Sequence, residues 1–108
     1  GDDFAAAGEH ADRIAQERGW HRMPSFHPAL VAGVGTYALE WLRAVPDLEV
    51  AYVPIGLGSG ACGMLAAREA LGHRCRIVGV VSSGAPAYQL SLARGEPVSH
   101  AVTTRLAD

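Results

Sequence analysis

With 108 residues, 49% of them hydrophobic and 19% charged, the chain can fill one core and is too apolar for a disordered segment. A formal net charge of −2, with nine arginines scattered along the sequence, leaves no basic footprint for nucleic acid. No apolar run approaches the roughly 20 residues of a membrane span, and no signal-peptide pattern is present.

The two cysteines, Cys62 and Cys75, are expected to be free, buried thiols of a cytoplasmic protein. The chain contains no lysine, so its basic set is arginine and histidine. It begins at Gly1 without a methionine and stops at Asp108 in the middle of a pattern, which leads us to expect part of a longer protein.

In chain order, Asp2 or Asp3 can cap a first helix. Phe4, Ala7, Ala11, Ile14 and Ala15 recur at helical spacing, Gly19 is a fitting stop, and Glu9 is placed to pair with Arg13. Residues 22–28 form a connector punctuated by Pro24 and Pro28, with His27 a surface or half-buried histidine. A second helix follows to about Pro46, with Ala38, Trp41, Leu42 and Val45 on one face. Gly33 and Gly35, placed in or just before its first turn, imply that a neighbouring helix or a ligand needs the backbone close.

Residues 50–55 read as a buried strand, and Gly56, Gly58 and Gly60 follow it two apart. Good helix formers then run from Ser59 to Leu71, with Gly72 as the C-terminal cap. Residues 76–81 form a second buried strand, so the unit is β-α-β with parallel strands and a right-handed crossover. Ser82 or Ser83 is expected to cap a last helix that has Pro86 near its first position and ends at Arg94 and Gly95. A tail with a short extended piece at residues 101–104 closes the chain. The fold class is α/β, half of a doubly wound sheet.

A glycine turn between a strand and a helix is an anion-binding geometry. Glycines let the backbone approach a ligand, and the free N–H groups and dipole of the first helical turn point at it. The chemistry admits several ligands. A dinucleotide site would use Gly56, Gly58 and Ala61 as G-x-G-x-x-A, but it wants an acid at the end of the next strand, where Val81, Ser82 and Ser83 stand. An NAD(P)- or other nucleotide-binding module therefore remains an alternative, as does a structural module that keeps the loop for packing. A P-loop requires a lysine, and a nucleophile elbow requires glycines where Leu57 and Ala61 flank Ser59. The five histidines form no H-x-x-x-H pair, and no metal site is expected.

Three segments together resemble the pyridoxal-phosphate (PLP) enzymes of fold type II, in the serine/threonine dehydratase (threonine ammonia-lyase) group. Ala32-Gly33-Val34-Gly35-Thr36-Tyr37-Ala38-Leu39-Glu40 resembles the family's A-G-Q-G-T-x-x-x-E. Val53-Pro54-Ile55-Gly56-Leu57-Gly58-Ser59-Gly60 resembles its phosphate loop, V-P-x-G-G-G-G-L. Val78-Gly79-Val80, and later Ala107-Asp108, resemble V-x-G-V-E-P and T-x-A-D-G. The resemblance implies that the amides of Gly56, Leu57, Gly58, Ser59 and Gly60 grip the phosphate of PLP, with the Ser59 hydroxyl as an added donor. It also implies that Gly33, Gly35 and Thr36 lie near the active-site cleft.

Val34 departs from the family's Gln. Val81 and Ala87 stand where metal-dependent members carry acidic ligands, so no divalent cation is expected there. The Gly-Leu-Gly-Ser-Gly loop is closer to the branch assigned to hydroxyectoine breakdown. The implied reaction is β-elimination from a hydroxy amino acid, giving a 2-oxo acid and ammonia. That reaction needs a lysine to hold the cofactor covalently, so no catalytic residue is expected within these residues and the piece alone should be inactive. Residues 1–21 would enter from a preceding domain and residues 22–108 would belong to the PLP-binding large domain. A homodimer or higher homo-oligomer is expected.

Overall fold

In the computed structural model, residues 4–104 are described. Six elements run in the order α1 (Phe4–Arg18), α2 (Pro28–Ala44), β1 (Val50–Pro54), α3 (Ser59–Leu71), β2 (Arg76–Val80) and α4 (Ala87–Arg94). The two strands pair in parallel, with Val50 opposite Arg76 and Pro54 opposite Val80, so the expected β-α-β unit is present. Ile55 lies just past β1, yet its N–H still donates to Val80 O at 2.8 Å, and the ladder ends where the glycines begin.

The core forms where α2 and α3 meet one face of the sheet. Ala38 and Leu42 come from α2, Met64 and Ala67 from α3, Ala51 and Val53 from β1, and Cys75 from the turn before β2. Strand alternation sends Ala51 and Val53 inward and leaves Tyr52 68% exposed on the opposite face. The small residues of α2 and α3 set how closely those helices approach. A Cβ on Gly63 would lie 3.0 Å from Gly35 N and 3.3 Å from Val31 O, so backbone packs on backbone at this crossing. The two sequence-flagged glycines of α2 thus have different surroundings. Gly35 is buried against Gly63, whereas a Cβ on Gly33 would meet nothing within 4 Å.

Several local expectations need correction. Helix α2 begins at Pro28, earlier than its glycines suggested, because His27 caps it by accepting from Ala29 N through Nδ1 at 3.1 Å and Pro28 suits the first turn. Arg13 pairs with Glu17 at 3.4 Å and with His10 Nδ1 at 2.7 Å, in place of Glu9. The serines do not cap α4: its N-cap is Pro86, and Ser82 Oγ instead accepts from Gly84 N at 3.2 Å within the preceding turn. Residues 101–104 form no strand, but Thr103 N donates to Gly84 O at 2.8 Å. Both cysteines are free as expected; Cys75 is buried but Cys62 is exposed in the first turn and a half of α3. The proposed caps Asp2 and Asp3, and Ala107 and Asp108, lie outside the described residues.

His73 joins the ends of three elements. Its Nδ1 accepts from Cys75 N at 3.1 Å, which leaves the proton on Nε2 to bond Val45 O at 3.3 Å. The left-handed Gly72, at φ 61°, turns the chain so that the ring can reach both.

Candidate anion-binding site

Residues 56–60 bridge the C-terminal end of β1 and the N-terminus of α3. Gly58 is the N-cap of α3 at φ 90° and ψ −2°, a left-handed conformation that suits glycine, and it brings no side chain to satisfy the first-turn amides. Its carbonyl accepts from Cys62 N at 2.9 Å and so begins the helical ladder. Among the described residues, the amides of Gly56, Leu57, Gly58, Ser59 and Gly60 donate to no backbone carbonyl and no side chain. Nor does the Ser59 hydroxyl bond to any group among the described residues. Five consecutive N–H groups from residue 56 to residue 60 are therefore available at the positive end of a helix dipole.

Beside the loop, a cavity of about 300 Å³ is lined by Pro54, Gly56, Val81, Ser82 and Ala85. It opens at the C-terminal ends of both strands, the place where open parallel sheets receive ligands. Its walls carry no ionised side chain, and no cluster of three metal-ligating side chains occurs among the described residues. What the site offers is main-chain donors at one side and an apolar slot at the other. Such a site can hold a phosphate and a flat ring; it supplies no general base of its own.

Of the three residues expected near the cleft, Gly35 lies in the α2–α3 crossing, four residues short of Leu39 and against Gly63. Thr36 is exposed and its hydroxyl already donates to Gly33 O at 2.7 Å, one turn back in its own helix. One residue with no motif to mark it reaches the loop. Tyr88, on α4, donates its hydroxyl to Leu57 O at 2.6 Å across 31 positions of sequence. Nothing in the sequence around Tyr88 points to this contact, which joins α4 to a loop distant in the chain.

Comparison with known proteins identifies the family. A family model described as "Pyridoxal-phosphate dependent enzyme" matches residues 1–108. The chain belongs to the pyridoxal-phosphate dependent enzyme family. As a PLP-family chain it is 37% identical, over 100% of its length, to an L-threonine ammonia-lyase from Geobacter sulfurreducens, of which it covers 27%. It is 34% identical, again over 100% of its length, to a threonine dehydratase from Nicotiana attenuata, of which it covers 18%. Threonine deaminase isoform 2 from Solanum lycopersicum, in its processed form, superposes with a TM-score of 0.76 at 28% identity, over 83% of this chain and 25% of that one. The α/β fragment is thus that of a fold type II PLP enzyme, and pyridoxal phosphate is the cofactor that membership implies. The chain spans less than a third of the length of these relatives.

Proposed function

We propose that this chain is the phosphate-holding part of a PLP-dependent dehydratase that removes the β-hydroxyl of a hydroxy amino acid and releases a 2-oxo acid and ammonia. The observation that carries the reading is the arc of unpartnered amides at residues 56–60, set on a left-handed Gly58 at the head of α3. When bound, the cofactor supplies the electron sink for that elimination. The loop's part is to fix the doubly charged phosphate with main-chain N–H groups from Gly56, Leu57, Gly58, Ser59 and Gly60, with the Ser59 hydroxyl as a further donor. The apolar slot beside Gly56 and Val81 then receives the ring and excludes water from it. Gly33, Gly35 and Thr36 lie near the cleft, with Gly35 also serving the α2–α3 packing.

A chain without lysine cannot bind the cofactor covalently, so that lysine comes from the remainder of the protein and these residues alone are inactive. Residues 1–21 enter from a neighbouring domain, and residues 22–108 belong to the PLP-binding large domain. The substrate is of the serine or threonine type, in keeping with relatives named threonine dehydratase; the Gly-Leu-Gly-Ser-Gly loop favours a hydroxyectoine-derived one within that class. The site is compatible with no divalent cation at Val81 and Ala87. The full protein is a cytoplasmic homo-oligomer.

The test is spectroscopic. The full-length protein should show the visible band of lysine-bound cofactor, lose it on borohydride reduction with one lysine labelled, and release ammonia from threonine, serine or a hydroxyectoine-derived amino acid. A full-length protein with no such band, or one that shifts its melting temperature with NAD(P) instead, would reject the proposal.

A further inference from the structure

Two consecutive peptide groups in the loop are each pinned by one hydrogen bond. The Gly58–Ser59 peptide is held through Gly58 O, which accepts from Cys62 N at 2.9 Å. The Leu57–Gly58 peptide is held through Leu57 O, which accepts from the Tyr88 hydroxyl at 2.6 Å. A trans peptide is planar, with its C=O and N–H pointing in opposite directions. Anchoring Leu57 O on α4 therefore aims the Gly58 N–H away from α4, just as anchoring Gly58 O in the helix aims the Ser59 N–H out beyond its end.

The contact is close enough to limit what can occupy position 58. A Cβ on Gly58 would come within 3.2 Å of the Tyr88 hydroxyl and 3.6 Å of the ring carbon that bears it. Tyr88 is the only side chain among the described residues that bonds to residues 56–60. Its partner lies in the centre of the loop, at the peptide where the backbone crosses into the left-handed region. Without that bond, the Leu57 carbonyl would be free to rotate inward, and a carbonyl oxygen facing a phosphate repels it.

We infer that Tyr88 is a positioning residue for the phosphate cradle: its hydroxyl keeps the Leu57 carbonyl turned out, so that the Gly58 amide faces the cofactor's phosphate. The inference rests on the proposed phosphate role of the loop. The test uses full-length apoprotein, wild type and Tyr88→Phe, titrated with pyridoxal phosphate and with pyridoxal, which lacks the phosphate. Loss of one neutral hydrogen bond should weaken pyridoxal phosphate binding by about five- to tenfold. Pyridoxal affinity should be unchanged, so the ratio of the two affinities should fall, and inorganic phosphate should lose competing power to the same degree. A merely structural tyrosine would lower both affinities together or neither.

Equal ratios in the two proteins would overturn the assignment of Tyr88, and so would a Tyr88→Phe protein that does not fold, since the hydroxyl would then be holding the fold. If wild type itself binds pyridoxal as tightly as pyridoxal phosphate, the phosphate role of the loop fails, and the inference about Tyr88 with it.

Discussion

At Gly58 a methyl group would sit on a backbone already at φ 90°, within 3.2 Å of the Tyr88 hydroxyl. The left-handed region costs an L-residue about 1–2 kcal/mol, and the steric contact adds to that. Gly58→Ala is accordingly expected to lower stability by about 2 kcal/mol and to abolish the preference for pyridoxal phosphate over pyridoxal, measured by urea unfolding and by titration of the full-length apoprotein. Gly60 makes a useful contrast, because a Cβ there would meet no protein atom within 4 Å. Gly60→Ala should leave stability nearly unchanged while weakening cofactor binding, since the only thing the methyl can crowd is the ligand. The glycine pattern of residues 56–60 was readable because φ > 0 and backbone approach leave a compositional mark. Tyr88 left none, since a hydrogen bond across 31 residues has no local signature.

The helices follow the same logic at a larger scale. Gly63 and Gly35 allow α2 and α3 to touch backbone to backbone, so Gly63→Ala, with its Cβ 3.0 Å from Gly35 N, should force the helices apart. A loss of about 1–3 kcal/mol in thermal or denaturant unfolding is expected, as for other overpacked contacts. Gly33→Ala should act in the opposite sense and raise stability by up to about 1 kcal/mol, because its site is open and glycine is a poor helix former. If Gly33 lines the cleft, the same substitution should slow turnover of the full-length enzyme despite the gain in stability. Element positions were largely legible from hydrophobic period and glycine stops: α3 and its Gly72 cap fall where they were expected, and β1 and β2 each end one residue early. What escaped was capping by less common groups. A histidine began α2 and a proline began α4, and neither belongs to the usual set of side-chain caps. Cys62 was misjudged because its sequence neighbours are apolar, whereas the position falls on an exposed side of α3.

For the molecule as a whole, a two-stranded sheet covered on one face leaves the other open. Tyr52 at 68% and Val80 at 47% exposure lie there or at its end, and both strands present unpaired edges among the described residues. The 108 residues expressed alone are expected to self-associate or to bind a hydrophobic dye, as checked by sedimentation and dye fluorescence, and to do neither once the full-length chain covers that face. The family and its cofactor were legible from three motifs in the right order. The central claim is that main-chain amides at residues 56–60 hold the cofactor's phosphate. A structure of the full-length holoprotein measures this directly. The account predicts phosphate oxygens about 2.7–3.2 Å from several of those five nitrogens, with Leu57 O still bonded to Tyr88. A phosphate bound elsewhere, with these amides turned onto protein carbonyls, would contradict it.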